Sequence, residues 1–363
     1  MTFERAQFIR AAVAVVLVIV AAYVFGWYIP QFYESSTTYL WAEAFYIGVA
    51  AMGLNLLTGY NGQVSIGHGA FFGFGMYTTA ILMESHGWPF VATLPVAAAV
   101  SFAVGVLVGF PALRVKGLYL ALVTLGLAVL FPQLTARFVP RDLCPTCGTS
   151  QVGELARSKL RPPGWVPHFI SANDQWAYYV SLAAVVIGLI VVVLMVRSRF
   201  GRALIAVRDH EAAAETVGIN IARVKVLAFA ISALYAGIAG SCFVLVKRLA
   251  TASSVSVFQL SIEFLVAVVV GGTATVVGPL IGAVVVVFSG RWISESFPST
   301  ILFLHIDDSV KNLLSPAIFG IGLILLMYVL PDGIVGGGRR LTMSAWRKLR
   351  GRTSSPALKG IDA

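Results

Sequence analysis

Charge is what this chain has least of. Asp, Glu, Lys and Arg together supply 12% of its 363 residues, about half of the roughly one quarter usual in soluble domains. That scarcity excludes a chain that covers its surface with solvated side chains. Cysteine is also scarce, at three residues, which excludes a disulfide scaffold. Cys144 and Cys147 stand in a lone CPTC within a polar loop, without the second ligand pair that a structural zinc site needs. They read as a local disulfide or two free thiols, and Cys242, inside an apolar run, reads as a small packing residue. Nucleotide and hydrolase motifs are missing as well. No G-x-x-x-x-G-K-[ST] occurs, so the chain has no P-loop, and there is no HExxH or nucleophile elbow. Asp307 and Asp308 form an isolated acidic pair in a loop. The chain does not read as an enzyme, and energy for any work it does must come from another polypeptide or an ion gradient.

What is present is apolar surface. The chain is 58% hydrophobic with a mean hydropathy of +0.87. Long apolar runs fall near 11–29, 40–57, 67–84, 90–112, 117–136, 176–196, 226–247, 258–272, 276–293 and 311–331. Most reach the length of about 20 residues that carries a helix across a roughly 30 Å hydrocarbon core. None shows the ten-residue alternation of a barrel strand. The expectation is an all-α integral membrane protein with about ten transmembrane helices. The first run follows Arg5 and Arg10 as a signal peptide would, but continues through Phe25 and Trp27 without a small-residue cleavage site, so it is expected to stay as a helix. The runs at 67–84 and 258–272 are short or glycine-rich, and one of them is a candidate for a broken or re-entrant segment.

The net charge of +10 has no nucleic-acid reader module beside it. It is explained by loop placement. Arg5, Arg10, Arg114, Lys116, the basic residues between 197 and 225, and Arg339, Arg340, Arg347, Lys348, Arg350 and Arg352 all fall on one side of a ten-span topology. The positive-inside rule then puts both termini in the cytoplasm. In this layout 1–335 is the transmembrane domain, with a cytoplasmic loop at 197–225 and an extracytoplasmic loop at 137–175. Residues 336–363 form a basic, flexible cytoplasmic tail with some affinity for anionic lipid.

One segment breaks the apolar pattern: GRALIAVRDHEAAAETVGIN, from Gly201 to Asn220. Asp209 is placed to cap a helix, Glu211 to meet its dipole, the three alanines that follow to propagate it, and Gly218 to end it in the left-handed region. Such a short helix needs packing to persist. It is either an amphipathic loop helix on the membrane surface or a docking knob, in which small Ala212 and Ala213 admit a close partner while Arg202, Arg208, Glu211 and Glu215 set its register.

Two further groups stand out. Asn55, Asn61, Gln63, Ser65 and His68 form a polar run at the entrance to the third span. In lipid they must face protein or a water-filled path, so they are candidates either for a hydrogen-bonded turn or for the lining of a translocation path. Gly271, Gly272 and Thr273 read as a tight turn, with Gly278 and Pro279 opening the next helix. That turn is a candidate structural corner, gate or second partner contact. Gly69 with Gly73, Gly105 with Gly109, and Gly278 with Gly282 are spaced for close helix approach. Glu43 and Glu263 lie near span ends, where each could meet a substrate or bond a neighbouring helix.

The 201–220 segment resembles the coupling loop of ABC importer permeases, on which a separate ATPase pushes. Its Glu211-Ala212-Ala213 stands one residue further from Gly218 than the general pattern, so Glu211 and Glu215 are both candidates for the key contact. Four stretches resemble branched-chain amino acid ABC permeases of the LivM type: GLNLLTGYNGQVSIGHGAFFGFGMYTTAIL (53–82), PALRVKGLYLALVTL (111–125), RSRFGRALIAVRDHEAAAETVGIN (197–220) and SIEFLVAVVVGGTATVVGPLIGA (261–283). The resemblance covers roughly residues 45–335 and departs most between Val139 and Asn173. It implies the ABC importer permease fold, a place in a bacterial inner membrane, and import of branched-chain or related amino acids. It also implies a second, LivH-like permease subunit, two ATPase subunits that hold ATP and Mg, and an extracytoplasmic solute-binding protein. No cofactor is expected in this chain. A urea or short-chain amide permease of the same family and an ion-coupled secondary transporter are the alternatives.

Overall fold

The computed structural model describes residues 35–113, 117–139, 173–248, 257–296, 300–301, 304–305 and 320–340 except 323, 326 and 339, with isolated residues at 16, 19, 20, 26, 160 and 162. Most of the first apolar run, Cys144 and Cys147, most of the 137–175 loop, Arg114 and Lys116, Asp307 and Asp308, and the tail beyond 340 lie outside them.

The described chain is helical apart from one short antiparallel ladder. Its elements are α1 (Ser35–Asn55), a π-helical turn at Leu56–Tyr60, α2 (His68–Ser85), α3 (Phe90–Ala112), α4 (Leu118–Phe138) and α5 (Asn173–Arg197). There follow α6 (Arg199–Asp209), α7 (Glu211–Thr216), α8 (Ile221–Lys247), α9 (Val257–Gly271) and α10 (Gly278–Ser296). Strands β1 (Thr300–Ile301) and β2 (Leu304–His305) pair antiparallel, and helical residues resume at 320–329 and 333–338.

Among the described residues six helical segments are long and apolar enough to cross a membrane, and α9 and α10 are shorter apolar helices. They do not share the same environment. In α1 and α8, 83% of the apolar window is buried inside the protein, against 28% in α3 and 33% in α4 and α5. α1 and α8, with the largely buried α2, therefore form the centre, and α3, α4 and α5 lie on the outside as a shell. The shell's outward side chains are large and apolar: Leu107, Phe110, Tyr119, Phe138 and Ile187 all lie exposed. On a soluble protein that much apolar surface would drive association. Around a buried polar-backbone core it is the face that lipid solvates, so the chain is a multi-pass membrane protein.

Close approach at the centre rests on glycine. A Cβ added to Gly75 of α2 would lie 2.1 Å from the Gly237 carbonyl oxygen of α8, and one added to Gly240 would lie 2.0 Å from the Phe72 carbonyl oxygen. The glycine pairs legible in the sequence also sit at contacts. Gly69 faces Val257 of α9, Gly73 the Phe131 ring of α4, Gly105 and Gly109 face α8, and Gly282 of α10 faces the Ala267 carbonyl of α9. Aromatic rings fill the space beside these contacts, with Phe72 packed on Tyr46, Phe243 and Phe264.

The irregular segment at the third span lies before the helix rather than within it. After the π turn the chain runs non-helically from 61 to 67, with Asn61, Gln63, Ser65 and Gly67 buried and Gly62 and Val64 exposed, and α2 is then continuous. Its backbone is satisfied by side chains of neighbouring helices. The Ile66 amide donates to Thr124 Oγ1 at 3.1 Å and the Gly69 amide to Ser261 Oγ at 2.8 Å.

Candidate functional site

The charged island folds as two helices instead of one. Ser198 caps α6, its Oγ accepting from the amides of Phe200 and Gly201, and Gly201, Leu204 and Val207 turn inward. The Asp209 cap expected from sequence does not form. Asp209 is the last residue of α6, and its carboxylate is held at 2.9 Å by Arg208. The residue that breaks the helix is His210, extended at φ −156 and ψ 100, so His210 and not Asp209 takes the cap position of α7, with no side-chain cap bond. Helix α7 then ends as expected: Gly218 has φ +82, its amide donates to Glu215 O and the Ile219 amide to Ala214 O. That pair of bonds is the Schellman arrangement, which needs the left-handed residue at the stop.

Orientation separates the two glutamates. Glu211 accepts from Lys225 Nζ of α8 at 2.5 Å, and the lysine side chain is only 9% exposed, so Glu211 ties α7 to the membrane bundle. Ala214 is buried beneath α7. Ala212, Ala213, Glu215, Thr216, Val217 and Gly218 are exposed on the other side. Arg202 is exposed and donates to the Arg197 carbonyl at 3.4 Å. Arg208 reaches inward, donating from NH1 to the Gly59 carbonyl at 2.9 Å. The inward anchor Lys225 was missed from sequence because it lies just before the apolar run at 226–247, where a lysine signals only orientation.

The polar run proves to be buried protein interior. Asn55, Asn61, Gln63, Ser65 and His68 are all at most 8% exposed. Asn55 is bonded twice, donating to the Thr275 carbonyl at 2.7 Å and accepting from the Ala274 amide at 2.9 Å. The side chains of Asn61, Ser65 and His68, and the Gln63 Oε1, have no hydrogen-bond partner among the described residues. His68 meets Phe71 and Phe264 edge-on. Asn61 and Gln63 line a polar cavity of about 80 Å³ together with Arg208, Glu211 and Lys225. Sequence alone could not show that the polar run and the charged island meet there.

The third group joins the same end of the bundle. Gly271 closes α9, and Gly278 and Pro279 begin α10. A Cβ at Gly271 would sit 1.8 Å from the Gly278 carbonyl oxygen, and Gly272 has φ +115. Thr273 is exposed. Gly333, in the left-handed region at φ +72, packs on Gly272, and Asp332 pairs with Arg340 nearby. Glu43 and Glu263 lie elsewhere. Glu43 pairs with Lys247 of α8 at 2.7 Å and accepts from Tyr46, while Glu263 accepts from Gln259 of its own helix. Among the described residues no group of three potential metal ligands converges.

A helical bundle with an apolar shell, a buried polar break and a charged two-helix appendage at one end is that of a multi-pass membrane protein. A family model described as branched-chain amino acid transport system, permease component, matches residues 36–329, and the chain belongs to that family. The LivM high-affinity branched-chain amino acid transport system permease protein of Salmonella typhimurium strain LT2 is 33% identical over 258 residues, 66% of this chain and 60% of that protein. Escherichia coli K12 LivM is 31% identical over the same shares. LivH of Escherichia coli K12 is 24% identical over 305 residues, 79% of this chain and 90% of that protein. The match thus spans 60% of the length of the LivM relatives. No solved structure matches.

Proposed function

We propose that this chain is the permease subunit of an ABC importer that carries branched-chain or related amino acids across a bacterial inner membrane. Two ATPase subunits supply the energy, with ATP and Mg bound there, and a second LivH-like permease and an extracytoplasmic binding protein complete the complex. About ten helices cross the membrane with both termini cytoplasmic, which places α6 and α7 on the ATPase side. The carrying observation is the two-sidedness of α7. Glu211 and Ala214 fix it to the bundle, while Ala212, Ala213, Glu215 and Gly218 are exposed. A short helix held from behind with small residues in front suits a partner that approaches closely. Glu215, rather than Glu211, is then the acidic contact. The membrane's lipid is the remaining partner, against the apolar shell.

The test is ATP-driven uptake of labelled leucine by proteoliposomes holding the chain with its partner permease, ATPases and binding protein. Ala213→Trp is expected to abolish uptake and ATPase retention while the permeases still insert. Uptake that persists without the ATPases and collapses with an ion gradient overturns the proposal in favour of secondary transport.

A further inference from the structure

The three polar groups singled out above are connected by direct bonds, and the connection passes through the π-helical turn Leu56–Tyr60. Arg208 NH1 donates to the Gly59 carbonyl at 2.9 Å. Gly59 packs so tightly on the next link that a Cβ there would stand 2.3 Å from Asn55 Oδ1 and 2.5 Å from the Ala274 nitrogen. Asn55 in turn grips Ala274 and Thr275 with both ends of its amide. Ala274 is one of two described non-glycine residues in the left-handed region, at φ +57, a conformation that costs about 1–2 kcal/mol for a residue bearing a Cβ. Something must hold it there, and the Asn55 carboxamide is the group that touches its amide.

A π turn contains one more residue than the α turn it replaces, and such turns cluster at functional sites. Releasing that residue would rotate what precedes or follows by about 100° and shift it by about 1.5 Å. The segment just beyond the turn carries the buried side chains of Asn61 and Gln63, which line the polar cavity beside Arg208, Glu211 and Lys225. Two arrangements of one element, biased from both ends, are what transmission between sites requires.

We infer that Arg208 and Asn55 are positioning residues that link the α6–α7 segment to the 272–278 turn through the π turn. Arg208 is therefore a strut from α6 to the π turn, with its side chain still 33% exposed. The inference rests on the permease reading for what moves α6, and on these bonds alone for the link.

The experiment is hydrogen exchange across residues 270–280 of the full chain in lipid nanodiscs, a readout that needs no transport. Arg208→Gln is expected to speed exchange at 272–276 about tenfold, the effect of losing a charge-assisted hydrogen bond, although Arg208 touches none of those residues. Arg208→Lys, which keeps one donor within reach of Gly59, is expected to stay within about twofold, and Asp209→Asn, which removes only the surface pair, likewise. Asn55→Asp keeps the acceptor for Ala274 and loses the donor, so it also speeds exchange. Combined with Arg208→Gln it is expected to add nothing further, because both act on one link. Exchange at 272–276 that is unchanged in Arg208→Gln, or a double variant whose effects multiply, overturns the link whether or not the chain proves to be an ATP-driven permease. If Arg208→Gln does not fold, exchange in Arg208→Lys equal to that of a misfolded chain has the same consequence.

Discussion

Replacing Gly75 by alanine tests the central packing directly. The added Cβ would lie 2.1 Å from the Gly237 carbonyl oxygen and 2.5 Å from the Gly237 Cα. Carbon and carbonyl oxygen approach no closer than about 3.3 Å even in favourable Cα–H contacts, so α2 and α8 must part by about 1.2 Å. The obstacle is backbone, which cannot rotate away as a side chain can. The same motion would loosen Gly240 against Phe72 and Gly237 against Ser101, which pack on the same three-helix junction. Overpacking by one methyl group costs about 1–3 kcal/mol, and the upper end applies where backbone blocks the site. About 3 kcal/mol corresponds to a drop of roughly 4 °C in the apparent unfolding midpoint of a chain this long. The assay is a thermal melt of purified protein in detergent, with Gly126→Ala as the internal control. Nothing lies within 4 Å of a Cβ at Gly126, so that change is expected to be neutral or to stabilise by up to about 1 kcal/mol through helix propensity. If Gly75→Ala melts with the control, the helices do not approach as closely as described and the packing argument fails.

Two further outcomes follow from the anchor of α7. Glu211→Ala leaves Lys225 buried and unpaired and is expected to cost about 2–3 kcal/mol, below the full range for a buried pair because the glutamate is partly exposed. Lys225→Met together with Glu211→Ala is expected to recover most of that loss, as chemical unfolding would show. Gly218→Ala meets no steric obstacle but must hold φ +82, at a cost of about 1 kcal/mol. Faster hydrogen exchange at Ile219, with Gly218→Asn nearer the wild type, is the expected sign, and equal exchange in all three chains would refute the Schellman assignment.

Much of the fold was legible because burial in lipid leaves a strong linear signature. The apolar runs between 40 and 293 correspond to described helices, the run at 311–331 lies partly outside the described residues, the glycine pairs mark helix contacts, and Gly218 and Pro279 end and open helices as their backbone preferences require. The errors were local. Asp209 reads as a cap because capping is judged from neighbours in sequence, yet Ser198 begins the helix eleven residues earlier and carries it through to Asp209. The polar run reads as a turn or a path lining, but whether a buried amide has a partner depends on residues far away: Asn55 finds its own at Ala274 and Thr275.

Composition and hydropathy by themselves determined that this chain is a helical membrane protein with one charged appendage, since 58% apolar residues in helix-length runs have no other stable solution. Only the tertiary structure decided which side of that appendage faces inward. A helix of six residues is too short to choose its own orientation by periodicity, and the choice was made by Lys225, which needs a carboxylate once it is buried, and by the carbonyl of Gly59, which Arg208 can reach only from the inner face.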